Sequence, residues 1–521
     1  MAIEYNGLPL SSHFVGFKDK LWTQQRWRPS LSSFSRKMLR FWRLRYIGIA
    51  FFIWQVTFNI SYTNPKPFTI TANESVYIAA NIINADLINN AWGQSLVELV
   101  DLIGKDRVYV SIYGGPTSAL KTLESKLDCG SSLVSEEEHP IDLKALPRTS
   151  LSTGQTVIKR IAYLAEVRNK ALEPLAKLNR KFDKVLFLND VYFAPVDAAR
   201  VLWGTNLNAE GKAEYKAVCG MDFVNSWTYY DTFATRDSEG YSLGVPIFPW
   251  FANEGHATSR NDVLEGRDAV RVKSCWGGIV AFDARYLQRD LYSLHTNATE
   301  HFKNSGKSDA QALDLPQLPL RFRSEREPFW ESSECCLIHA DILALPPFLD
   351  PSKELRKGYG EGIFMNPYVR VSYDMSTQKH IWLAQRFERL FALPQAVINR
   401  FAHMPRSNYR REEVKGGFVE DRVWVASTVG DGGSEAGHEF GGKDSARLAS
   451  RMDRSRRARI GSGKGMEYWK HKGHYIDFER KANTGGYCGV RKLSVHKEGK
   501  GEGNWDNLLD EVPPLEVGLP Q

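Results

Sequence analysis

Two stretches hold residue types that could do chemistry together. The first is Ala165-Glu166-Val167-Arg168-Asn169-Lys170. Ile161, Ala165, Arg168 and Leu172 recur at helical spacing, so Arg168 shares a face with apolar residues. A guanidinium on such a face needs an anion, either an internal carboxylate or the diphosphate of a nucleotide. The second stretch is the apolar run 185–188 followed by Asn189-Asp190. Ligands of open α/β sheets gather at the carboxyl ends of strands. Asp190 is therefore placed to meet a divalent cation, Mn2+ or Mg2+, through hard oxygen ligands completed by substrate phosphates. The plainer alternative is an Asp that caps a turn.

Three further positions join these. Gly277-Gly278 precede the apolar run 279–282. They either let backbone N–H groups approach a donor or make a tight turn into a strand. Trp276 either stacks on a sugar or fills the core. Asp222 lies near the end of a strand that begins at Ala217 and is placed to face the same cleft.

The elements that must position these residues alternate. Short β-rich runs are expected at 76–80, 107–112, 184–188, 217–223 and 279–282. Helical patterns cover 117–127, 155–178 (broken at Pro174) and 197–203, with Asp197 as N-cap. Strands alternating with helices predict an α/β fold with a largely parallel sheet and helices on both faces.

Composition agrees with a large globular α/β chain. Of 521 residues, 42% are hydrophobic and 25% charged, which excludes wholesale disorder, a collagen-like chain and a polytopic membrane protein. The formal charge is +7, from 68 basic and 61 acidic residues. Residues 1–45 contain nine Lys/Arg and two acids, so the whole excess lies in one arm. Nucleic acid is not an expected partner for that reason. The arm precedes an uncharged stretch, 46–65, read as a signal-anchor helix. The basic side would stay cytoplasmic and the rest of the chain would face a lumen. Sequons at Asn59, Asn73 and Asn297 fit a lumen. The six cysteines show no zinc spacing, and their pairing is left open. Residues 429–465 are rich in glycine and charge and read as a mobile loop or tail.

The order of motifs then becomes specific. The segments 160–175 and 182–193, Cys219-Gly220-Met221-Asp222-Phe223, Tyr230-Asp231, Ser274-Cys275-Trp276-Gly277-Gly278 and Ser333-Glu334-Cys335-Cys336-Leu337 together resemble the fungal capsule-associated α-1,3-mannosyltransferases of glycosyltransferase family 69. The resemblance covers roughly residues 74–375. It implies a GT-A-like single Rossmann-type domain with a mostly parallel central sheet. The implied layout is a basic arm (1–45), an anchor (46–65), a transferase domain (66–385) and a partly disordered extension (386–521).

It also implies transfer of mannose from GDP-mannose to a mannose-containing acceptor, with retention and an α-1,3 linkage. The place would be a Golgi or other secretory-pathway membrane, in single-pass type II topology. By the same resemblance Glu334 is the active-site carboxylate, a surface carboxylate being the plainer alternative, and Asp222, from its strand position, joins it as a catalytic candidate near the anomeric carbon. Arg168, Asn169, Gly277 and Gly278 are expected to bind the donor, and Asp190 to hold the cation with His339, whose plainer alternative is a structural histidine. Asn189 stands where the usual motif has its first Asp, which weakens metal binding. A non-catalytic glycan-binding scaffold and a transferase for another sugar stay open as alternatives.

Overall fold

Val76–Asn81 and Lys184–Leu188 are apolar runs buried along almost their whole length. Strands covered on both faces belong in the middle of a sheet, and these two pair with each other in parallel. The computed structural model describes residues 31–58, 61–71, 73–151, 156–288, 318–327, 329–346, 350–351, 359–426, 473–496 and 505–508. Its main sheet has ten strands. Their order is Gly130–Val134, Val108–Tyr113, Val76–Asn81, Lys184–Leu188, Ile279–Asp283, Ala217–Asn225, Ile363–Ser372, Val270–Ser274 and Arg236–Asp237, with Thr228–Tyr229 paired to Ala217–Asn225.

The first four strands run parallel. Ile279–Asp283 is antiparallel to both of its neighbours, and Val270–Ser274 is antiparallel to both of its own. The sheet is therefore mixed, which corrects the expected mostly parallel sheet of a single Rossmann-type, GT-A-like domain. The sequence cue failed because buried parallel and buried antiparallel strands show the same continuous apolar run.

Helices cover both faces. Ala91–Ile103, Thr117–Glu124 and Pro195–Trp203 bury Trp92, Leu96, Leu120, Leu123 and Leu202 in one core. Arg160–Lys177 and Glu334–Ala344 bury Ala165, Leu172, Leu175, Leu337 and Ile338 in the other. Pro174 lies inside Arg160–Lys177, and the helix continues through it to Lys177. Pro195–Trp203 starts earlier than expected, with Pro195 in its first turn and Ala194 rather than Asp197 at the N-cap.

The N-terminal expectation is also corrected. Leu31–Phe58 is one helix, but among the described residues no helix is long and apolar enough to cross a membrane. Its first part, 31–45, carries Arg36, Lys37, Arg40, Arg43 and Arg45. Its uncharged part, 46–58, is roughly 20 Å long at 1.5 Å per residue, against a bilayer core of about 30 Å. The signal anchor at 46–65 is thus overturned. With it go the single-pass type II topology, the membrane partner and the Golgi-membrane placement. Residues 1–30, Asn59, Asn297 and 429–465 lie outside the described residues.

Described parts of 386–521 pack on the main body. Gly489–Arg491 pairs antiparallel with Trp330–Ser332, and Cys488 is disulfide-bonded to Cys336. Arg236 is buried and donates to the carbonyls of Tyr487 (2.7 Å) and Cys488 (3.2 Å). A second disulfide, Cys219–Cys275, ties Ala217–Asn225 to the segment just before Trp276.

Candidate active site

The Lys184–Leu188 strand delivers Asn189 and Asp190 at its carboxyl end. Asn189 is fixed on every side. Its N–H donates to the Gly278 carbonyl at 3.0 Å, and its own carbonyl accepts from Trp92 Nε1 at 2.8 Å. Its side-chain oxygen accepts from Trp276 Nε1 at 3.1 Å and from Arg168 Nη1 at 3.5 Å. A neutral amide suits this place, since it joins two donors without adding charge.

Arg168 comes from the inward face of Arg160–Lys177, as its spacing predicts. Its Nε donates to Glu334 Oε1 at 2.9 Å. The guanidinium carbon lies 4.2 Å from the Trp276 ring centroid, a cation–π contact. Burial alone would lower its pKa. Cys335 and Glu334 outweigh that and raise it. Glu334 opens the helix Glu334–Ala344, where the helix dipole favours a carboxylate. Both side chains are nearly enclosed, at 13% and 4% exposure. The partner of Arg168 in the structure is therefore an internal carboxylate.

Asn169 turns elsewhere. It exchanges two hydrogen bonds with the Phe322 backbone, both at 2.9 Å, and braces the 318–327 segment beneath the site. Phe322 in turn packs edge-on against Trp276, with centroids 5.8 Å apart.

Asp222 is buried in Ala217–Asn225. Its Oδ1 accepts from the Asp231 N–H at 3.1 Å, and its Oδ2 is 2.8 Å from the Tyr373 hydroxyl. Loss of water, followed by the Asp231 charge, pushes the Asp222 carboxyl up to about 8. Asp231 is raised too, chiefly by loss of water, and Glu334 adds to the rise. Asp231 accepts from the Gly277 N–H at 3.3 Å. Asp231 thus lies between Asp222, which accepts its N–H, and Glu334, whose charge it feels. Asp190 lies close enough for its charge to raise the pKa values of Tyr230 and Tyr373.

Gly277 and Gly278 have φ values of 56° and 70°. A Cβ on Gly277 would strike the Gly220 carbonyl. These glycines make the tight turn into Ile279–Asp283, and the Gly277 N–H is already taken by Asp231. His339 is sealed within Glu334–Ala344. Its Nδ1 lies 2.7 Å from the Cys335 carbonyl, its ring packs on Phe282, and burial lowers its pKa to about 4. Among the described residues no group of three or more His, Cys, Asp or Glu is arranged to hold a metal ion. The structure brings Arg168, Glu334, Asp222 and Asp190 to one region and leaves His339 in the core.

The motif order and this clustering lie within one conserved family model. Residues 75–341, slightly more than half of the chain, match the family described as Cryptococcal mannosyltransferase 1. The chain belongs to this family. Members of the Cryptococcal mannosyltransferase 1 family are glycosyltransferases, and the chain is accordingly a nucleotide-sugar-dependent glycosyltransferase in the broad sense. No curated protein matches it. Among solved structures it is similar to glucosyl-3-phosphoglycerate synthase from Mycobacterium tuberculosis, in complex with Mn2+, uridine diphosphate and phosphoglyceric acid. That match has 12% identity, covers 69% of this chain and 89% of the other, and has a TM-score of 0.27. A mannosyltransferase from Pyrobaculum calidifontis, in complex with GDP-Man and Mn2+, matches at 14% identity over 72% and 85%, with a TM-score of 0.26. At scores this low the likeness assigns neither fold nor ligand to this chain.

Tyr373 is not singled out by the sequence, and Asp231 enters there only as part of a motif, without a role. Tyr373 follows the last long strand, Ile363–Ser372, and the rule of strand ends that marked Asp190 would have marked it. Asp231 follows a two-stranded hairpin whose fold-back no periodicity announces.

Proposed function

We propose that the chain transfers mannose from GDP-mannose to a mannose-containing glycan, with retention and an α-1,3 linkage. The observation that carries this reading is the enclosed Arg168–Glu334 pair beside Asp190, inside the segment that matches a mannosyltransferase family. Glu334 is the carboxylate that meets positive charge growing at the anomeric carbon. Arg168 is its counter-charge and fixes its direction, with Asn189 and Trp276 holding the guanidinium. Asp222, whose carboxyl burial pushes up to about 8, accepts from the Tyr373 hydroxyl and the Asp231 N–H and so holds both at the edge of the site.

A divalent cation, Mn2+ or Mg2+, fits at Asp190. Asp190, a partly exposed carboxylate at a strand end, would hold it, with substrate phosphates supplying further oxygen ligands. When bound, the cation would neutralise charge on the departing diphosphate. His339 does not fit that role, because its ring is enclosed in the core.

The test is a donor screen on the full chain with GDP-mannose, UDP-glucose and UDP-xylose and a mannoside acceptor. Transfer from GDP-mannose alone is expected. Glu334→Gln should lower kcat by at least about a hundredfold while GDP affinity is kept. Transfer from a uridine donor in preference to GDP-mannose would overturn the donor assignment. Unimpaired Glu334→Gln would overturn the role of the carboxylate.

A further inference from the structure

Trp276, the aromatic that the sequence offers for stacking on a sugar, is 4% exposed, and Arg168 covers its face. Two other aromatics are exposed beside the cleft. Tyr230 is 49% and Trp227 37% exposed, and both belong to the hairpin that returns from Asp222. Asn225 Oδ1 accepts from the N–H groups of Trp227 and Thr228, each at 3.0 Å, so the turn that displays Trp227 is firmly built. Tyr229 points into the core and is 1% exposed. Strand alternation therefore turns Tyr230 outward. The Tyr230 N–H donates to the Asp222 carbonyl at 2.9 Å, and its ring meets Tyr373 edge-on, with centroids 4.9 Å apart. The Trp227 ring is steadied by Phe391, edge-on at 5.1 Å. These are rigid, half-open aromatic faces rather than loose surface side chains.

The polar surroundings match a polyhydroxyl ligand. Burial and then Asp222 push the Tyr230 phenol up, Arg160 acts against them, and Asp231 and Asp190 add to the rise. Tyr230 thus stands among both acidic and basic groups, beside Asp222 and Tyr373. Pyranosides present an apolar C–H face bordered by hydroxyls, and such sites pair aromatic surface with a few placed polar groups.

We infer that Tyr230 and Trp227 form the acceptor subsite, with Tyr230 under the sugar that receives the transferred residue and Trp227 under a second, outer sugar. This rests on the transferase reading given above and extends it to the acceptor. A disaccharide should then bind more tightly than a monosaccharide, and the difference should reside in Trp227.

The test titrates the full chain with methyl α-mannoside and with α-mannobiose, by calorimetry, and measures acceptor KM in parallel. Trp227→Ala should weaken mannobiose about tenfold, to the level of the monosaccharide, while Trp227→Phe keeps most of the preference. Tyr230→Ala should weaken both saccharides about ten- to a hundredfold, while Tyr230→Phe stays near wild type. GDP affinity and melting temperature should be unchanged in all four variants. Wild-type affinity in both alanine variants would overturn the subsite. So would a loss that follows melting temperature or GDP affinity, or a wild-type chain that binds no saccharide. A wild-type chain that binds saccharide but transfers nothing from GDP-mannose would instead overturn the proposed donor and leave the subsite standing.

Discussion

Arg168 and Glu334 are 166 positions apart in sequence and 2.9 Å apart in space. One sits in a helix packed under the sheet, and the other opens the helix beside it. A guanidinium has a planar fork that can hold a carboxylate and an amide oxygen at once, and an ammonium has not. Here the fork spans Glu334 and Asn189. Arg168→Lys should lower kcat by about ten- to a hundredfold with GDP affinity within about twofold of wild type. Steady-state kinetics with GDP calorimetry separates this from a donor contact, which would weaken GDP instead. Arg168→Ala leaves Glu334 enclosed without its counter-charge and should cost about 3 kcal/mol of stability, read by chemical denaturation.

Asp222 gives the fold a pH signature. Burial holds its folded pKa at about 8, far above the ordinary aspartate value of 3.8. Between these limits the folded state binds the extra proton, so stability from this group is complete below about pH 4 and is lost as pH rises through about 8. The raised pKa of Asp231 acts in the same direction. Melting temperature should fall between pH 5 and about pH 8.5, and Asp222→Asn should flatten that slope. An equal slope in wild type and Asp222→Asn would show that other groups set it.

The Cys336–Cys488 disulfide closes a loop with a sequence separation of 152. Cys488→Ser should lower stability by about 2–5 kcal/mol in denaturant. Because Cys336 lies two residues after Glu334, the variant should also lose kcat, with KM for the donor little changed. Loss of stability without any change in kcat would confine the disulfide to a structural role.

Parts of this arrangement were legible in the sequence for local reasons. Helical spacing placed Arg168 inward, and a short apolar run placed Asp190 at a strand end. The internal salt bridge was one of two partners foreseen for Arg168, but spacing could not choose between them. The choice depends on Glu334, which reaches the site only through tertiary packing. Asn169 and Gly277 were visible as residue types, yet their bonds go to Phe322 and Asp231, distant in sequence. The direction of Ile279–Asp283 was invisible, since a buried strand has the same composition either way round. The stretch 46–65 lacks charge, but Gln55, Thr57 and Asn59 interrupt it, and absence of charge alone does not give a span's apolar length.

The pairing of Gly489–Arg491 with Trp330–Ser332 bears on the order in which the chain can mature. A ribosome releases the whole family-matched segment, Glu334 included, before it reaches Cys488. Until then the strand edge at Trp330–Ser332 has no neighbour and the Cys336 thiol has no mate. The pin that Cys488 gives the helix start bearing Glu334 is therefore among the last parts of this contact to be synthesised. The last stretch of synthesis clamps that helix, so a chain cut short before residue 488 would leave an otherwise assembled body with a loose carboxylate.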